Sequence, residues 1–143
     1  MPGYFDSSFL LASLLDQPGR DKLVPLWDDE PTRVSSILLE AECITVLRRV
    51  AASQPAADAE PFLSLRMRYL DQYLAVVSLK NHDEEVNRYL RNEQRLRLCR
   101  TLDAIHLATA LLFQEQFDSP LTICSLDKQM RAVAADLGFS LAP

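Results

Sequence analysis

The sequence predicts an α/β fold in three layers, a short and mostly parallel sheet of four or five strands flanked by about seven helices. Two observations carry that expectation. Short apolar or β-branched runs at 3–5, 33–35, 75–78, 121–124 and 139–141 alternate with longer stretches that repeat at the helical period. The stretch 101–113 is apolar nearly all round, which a helix tolerates only when other elements cover most of its surface. Strands alternating with helices pair in parallel through right-handed crossovers, so the helices come to cover both faces of the sheet.

Taken in order, Gly3-Tyr4-Phe5 is an apolar run that stops at Asp6-Ser7-Ser8, after which Phe9, Leu10, Ser13 and Leu14 fall at helical spacing. Pro18-Gly19 breaks that helix, 21–29 reads as a second short one, and Pro31 ends it before an extended Arg33-Val34-Ser35. A long helix is expected over 36–52, capped by Ser36, with Leu39, Cys43, Val46 and Val50 on one face. Residues 54–59 read as a linker, 61–73 as a helix entered at Pro61, and Ala75-Val76-Val77-Ser78 as a strand. A charged amphipathic helix over 83–93 precedes the buried one. Pro120 then introduces the apolar strand Leu121-Thr122-Ile123-Cys124, 126–137 is helical, Gly138 ends it, and Phe139-Ser140-Leu141 is expected as an edge strand. At 143 residues, without internal repeat or low-complexity segment, one domain over 1–143 is the expectation.

Composition narrows the function classes. The apolar stretch 9–15 is interrupted by Ser13 and falls far short of the roughly 20 residues a spanning helix needs. With no basic segment before it, it does not read as a signal peptide, so no membrane association and a cytoplasmic location are expected. Cys43, Cys99 and Cys124 are odd in number and widely spaced, which argues against a disulfide framework and a structural zinc site. A net charge of −5 weighs against a polyanionic partner, because nonspecific nucleic-acid affinity comes from clustered cations. The basic residues are twelve Arg to three Lys, however, which suits bidentate phosphate contacts, and a bound divalent cation would reverse the local sign.

Four acids recur at equivalent places. Asp6 follows the first strand, Asp127 follows the strand ending at Cys124, Asp103 opens the buried helix, and Glu42 lies in the second turn of the helix after Val34. In a parallel sheet, ligands bind beyond the carboxyl ends of the strands, where these acids could converge. A few carboxylates on one rim suffice for Mg²⁺, which takes oxygen ligands and keeps several waters, and such an ion serves phosphodiester hydrolysis. Each acid also has a plainer explanation. Asp at a helix start commonly caps it, and Glu42 fits a solvated helical position.

Four segments carry a family resemblance. Leu102-Asp103-Ala104-Ile105-His106-Leu107-Ala108 resembles the DAIHLA signature of VapC-like PIN domains. Tyr4-Phe5-Asp6-Ser7-Ser8 is similar to that family's first strand end, Ser36 to Glu42 to its serine followed six residues on by a glutamate, and Ile123 to Asp127 with Ala134-Ala135 and Leu137-Gly138 to its closing element. What the resemblance implies is a sheet covered on both sides, endoribonuclease activity with one or two Mg²⁺ or Mn²⁺ ions, homodimerisation, and a cognate antitoxin whose tail enters the acidic pocket. On this chain it implies Asp6, Glu42, Asp103 and Asp127 as catalytic and metal-holding acids, with Ser8 and Ser125 orienting them. Helical geometry leaves Glu40 as a competitor of Glu42; the family register favours Glu42.

Arg97 and Arg100, just before Asp103, are candidate RNA contacts. Arg88, Arg91 and Arg95 form a possible phosphate-tracking stripe or an ordinary charged helix face, with Glu84 and Arg88 an available i,i+4 pair. His106, one turn beyond Asp103, reads as a buried hydrogen-bonding residue. Two other functions compete: a noncatalytic RNA- or protein-binding module, and an aspartate-dependent phosphatase using Asp6. The second is disfavoured because Ser8 stands where such enzymes place another acid.

Overall fold

A computed structural model describes all residues, 1–143. Its strands are β1 (Gly3–Phe5), β2 (Arg33–Ser36), β3 (Ser78–Lys80), β4 (Thr122–Cys124) and β5 (Ser140–Leu141). Its helices are α1 (Ser7–Leu14), α2 (Arg20–Asp29), α3 (Leu38–Ala52), α4 (Ala56–Leu74), α5 (Glu84–Asn92), α6 (Thr101–Phe117) and α7 (Lys128–Asp136). The strands make one sheet in the order β3-β2-β1-β4-β5, and every neighbouring pair is parallel. The connections step outward from β1 to β2 and β3 on one side and to β4 and β5 on the other. The order therefore reverses between β1 and β4, and a crevice opens at such a point beyond the strand ends.

The strand pleat sorts the core into two layers. Successive side chains on a strand point to opposite faces, so Tyr4, Val34 and Ile123 join one cluster with α6 and α7, while Phe5 and Cys124 join another with α1 and α3. Central β1 is buried on both faces, which is why it reads as an unbroken apolar run rather than an alternating one. On α6, Ala104 through Ala110 are all buried, as the apolar stretch requires.

Several expected boundaries shift. Instead of a linker over 54–59, α4 begins at Ala56, because Pro55 accepts the amides of Asp58 and Ala59 and the following residues are good helix formers. Pro61 lies inside the helix rather than opening it. The expected strand 75–78 is displaced to Ser78–Lys80, since the amides of Ala75, Val76 and Val77 close the last turn of α4 on Asp71, Tyr73 and Leu74. On α3 the buried row is Leu39, Cys43, Leu47 and Ala51, not Val46 and Val50. Ser36 ends β2, yet its hydroxyl accepts the Leu38 amide and so still serves the helix start. Residues 94–98 form an unexpected 3₁₀ turn, and α7 begins after Asp127, later than the expected 126.

Candidate active site

Asp6 stands immediately beyond β1 as the N-cap of α1, accepting the Phe9 amide on Oδ1 at 3.2 Å. It is only 4% exposed. Ser8 donates to the same oxygen at 2.6 Å, and Ser125 donates to Oδ2 at 2.5 Å. Each hydroxyl is itself fixed from behind, Ser8 by the Leu126 amide at 2.9 Å and Ser125 by the Asp127 amide at 3.0 Å. Two serines thus tie the end of β1 to the turn after β4, across the point where the strand order reverses. Burial raises the Asp6 carboxyl above its usual value, opposed by hydrogen bonds from Ser125 and Ser8.

Glu42 reaches the same region from α3. Because Leu39 and Cys43 point into the cluster against α1, the Leu38–Glu42 row turns toward the cluster that contains α6. There Glu42 meets His106 at 2.5 Å and accepts from Ser7 at 3.3 Å. His106, 1% exposed, meets the Tyr4 hydroxyl on its other nitrogen at 2.6 Å. Glu40 makes neither contact, so geometry separates two glutamates that periodicity left equivalent.

Asp103 lies in the first turn of α6 but does not cap it; the cap position is Arg100, which supplies no side-chain bond. Asp127 does cap its helix, accepting the Met130 amide at 2.8 Å. Burial pushes the Asp103 carboxyl up, the charge of Asp127 pushes it further, His106 opposes them, and Asp6 and Glu42 add smaller upward effects. Cys99 is raised first by burial and then by Asp103 and Asp127. Asp6, Glu42 and Asp127 thus all lie within electrostatic reach of Asp103. None of them pairs with Lys or Arg.

Whether a metal fits can be judged from the donors. No three His, Cys, Asp or Glu side chains are gathered tightly enough to enclose an ion. An oxygen rim with uncompensated charge fits a hard divalent cation that keeps part of its water shell, and not the closed tetrahedron of a structural zinc.

The PIN domain family matches residues 3–136, a span that takes in all four acids and both serines. This chain belongs to the PIN domain family. PIN domains are in general nucleases, and a nucleic acid is the substrate class that membership indicates. No curated protein matches the chain. In this PIN domain no helix is long and apolar enough to cross a membrane.

Of the other candidates, Arg97 and Arg100 are exposed, and the Arg97 guanidinium donates only to the nearby Gln94 carbonyl. The arginine stripe dissolves. Arg88 pairs with Glu115 rather than Glu84, and Arg95 lies on the 3₁₀ turn, engaged by Glu93 and the Asp136 carbonyl. The sequence reading passed over Tyr4 and Ser7, which touch His106 and Glu42. A buried tyrosine needs a partner for its hydroxyl, but nothing local to Tyr4 says which.

The charge field carries a stability cost. Since the folded Asp103 carboxyl titrates above its ordinary value of 3.8, its ionisation subtracts stability; the deficit grows as pH rises between those two values and is complete above the folded one. In metal-free protein, Asp103→Asn should therefore melt about 1–4 °C higher than wild type near neutral pH, a gain kept small by partial exposure, and the difference should close in acid. Thermal scans across pH check this; a variant that melts lower at neutral pH would sink it.

Proposed function

We propose that this PIN domain is a metal-dependent endoribonuclease, the toxin of a type II toxin–antitoxin pair, with residues 1–143 acting as one PIN-like domain. The observation that carries the nuclease reading is the buried, doubly clamped Asp6 at the strand-order reversal, with three further carboxylates in the same electrostatic neighbourhood and no Lys or Arg to neutralise them. A field that costs stability when empty is explained by a cation that fills it. Asp6, Asp103, Asp127 and Glu42 are the residues we assign to metal binding and catalysis, and Ser8 and Ser125 hold Asp6 in place. When bound, Mg²⁺ or Mn²⁺ would polarise a phosphoryl group and lower the pKa of an attacking water.

The resemblance supports the toxin role, with a cognate antitoxin and a homodimer as partners. For a second copy we nominate the margin of α4, where exposed Leu65, Tyr69 and Val76 line a cavity of about 690 Å³ that includes none of the four acids. RNA is assigned to the side bearing Arg97 and Arg100.

The test is cleavage of a mixed RNA pool, transfer RNAs included, by antitoxin-free protein with Mg²⁺ or Mn²⁺ and with EDTA. Cutting that EDTA abolishes supports the proposal. Binding without cutting by folded, metal-supplied protein would favour a noncatalytic module. Reversing Arg97 and Arg100 to Glu should weaken RNA binding about tenfold at low salt and flatten its salt dependence; an unchanged salt slope would remove both from the substrate surface.

A further inference from the structure

The turn that carries Ser125 is also held from behind, by a residue the acids do not touch. β4 ends at Cys124 and β5 at Leu141, and the Ala142 amide donates to the Ile123 carbonyl at 3.0 Å where the two strands finish. Just past that bond lie the backbone carbonyls of Ser125 and Ala142, both in buried residues. A buried carbonyl beyond the end of a ladder still needs a donor. Arg131, one turn along α7 from Asp127, supplies it to both: Nη1 donates to the Ser125 carbonyl at 3.1 Å and to the Ala142 carbonyl at 2.7 Å. The two hydrogens of one guanidinium nitrogen suffice for this, one for each carbonyl. Although Asp127 stands four residues earlier on the same helix, Arg131 forms no ion pair with it or with any other carboxylate.

With that contact the polar groups of the turn are engaged from two sides. Toward the acids, the Ser125 hydroxyl donates to Asp6 and accepts the Asp127 amide, while the Leu126 amide goes to the Ser8 hydroxyl. Away from them, the Ser125 carbonyl is fixed by Arg131. Without the guanidinium, the hydroxyls that orient Asp6 would also have to hold the turn. We infer that Arg131 is a positioning residue, which clips the turn after β4 to the segment after β5 and so keeps the Ser125 hydroxyl on Asp6. The clip makes the C-terminal segment part of the support of the site, because Ala142 shares the nitrogen that Ser125 uses. The consequence for cleavage rests on the nuclease reading above; the order of the turn and its effect on cation binding do not.

Three variants test it. Arg131→Met keeps the length of the side chain and removes the donor, whereas Arg131→Lys keeps a nitrogen able to donate to both carbonyls. Val133→Ala opens a cavity at a buried position of the same helix without touching the turn. In metal-free protein, amide hydrogen exchange at Leu126 and Asp127 should rise about tenfold or more in Arg131→Met and stay near wild type in the other two. Mn²⁺ affinity by calorimetry should fall about tenfold in Arg131→Met, the lower end of what outer residues that orient ligands contribute. For cleavage, kcat at saturating metal should fall with it while the KM for RNA stays constant. Arg131→Lys should recover most of both losses, and Val133→Ala, though it melts lower than wild type, should show neither. Wild-type exchange or wild-type Mn²⁺ affinity in Arg131→Met would overturn the positioning role, as would equal losses in Val133→Ala. If Arg131→Met does not fold, Arg131→Gln, too short to bridge both carbonyls, takes its place with the same expectations. Wild-type protein whose Mn²⁺ binding depends on Arg131 in this way yet cuts no RNA would support the clip and count against the nuclease proposal alone.

Discussion

Asp6→Asn is expected to reduce metal-dependent RNA cleavage by about 10³-fold or more while leaving the fold intact. The substitution keeps shape and one acceptor oxygen, so the Phe9 amide and one serine retain a partner. What it removes is the charge at the crevice. Losses of about 10²–10⁴ are typical when one catalytic or electrostatic group is deleted, and Asp6 is asked here for both charge and position. Stability should move the other way or not at all, because burial already raises the Asp6 carboxyl and disfavours its ionised form without a cation. Activity lost at unchanged or higher melting temperature would mark a residue retained for function. Cleavage at the wild-type rate would mean that the nuclease, if present, does not use this pocket.

Leu107→Ala should have the largest effect on stability. Leu107 is 0% exposed in the middle of α6, inside the cluster that also holds Tyr4, Ile123 and Met130. Removing such a side chain costs about 2–5 kcal/mol, depending on how far the surroundings collapse. In a chain of this size that corresponds to a fall of roughly 7–15 °C in melting temperature. Leu102→Ala on the same helix is the control. Leu102 is 47% exposed, so its truncation should stay within about 0.5 kcal/mol. Equal losses in urea or thermal unfolding would contradict the burial of the helix centre and the exposure of its first turn. Because α6 carries Asp103 and His106, the Leu107 variant should also lose cleavage at temperatures well below those that impair wild type.

Local signals carried much of this molecule. Gly3-Tyr4-Phe5 is apolar without alternation because β1 is covered on both faces, and 101–113 is apolar all round because α6 lies between the sheet and its neighbours. Asp6 and Asp127 were legible as helix caps and as strand-end acids, and both descriptions hold geometrically: each follows a strand and accepts an amide of the helix behind it, Asp6 from Phe9 and Asp127 from Met130. Local signals misled where a neighbouring element claimed the backbone. The amides of Val76 and Val77 close α4, which displaced the expected strand onto Leu79 and Lys80. The pairing with β2 then depends on residues more than forty positions away.

By itself the sequence determined the alternation of strands and helices, the buried helix, the family and the four candidate acids, all of which follow from periodicity, capping chemistry and contiguous motifs. The tertiary structure alone decided the strand order that brings Asp6 beside Ser125, the contact of Glu42 rather than Glu40 with His106, and the Tyr4–His106 contact across 102 residues. Periodicity describes which way a side chain faces on its own element; which hydroxyl, imidazole or carboxylate waits on the other side is set by packing between elements, and the one-dimensional pattern does not encode that pairing.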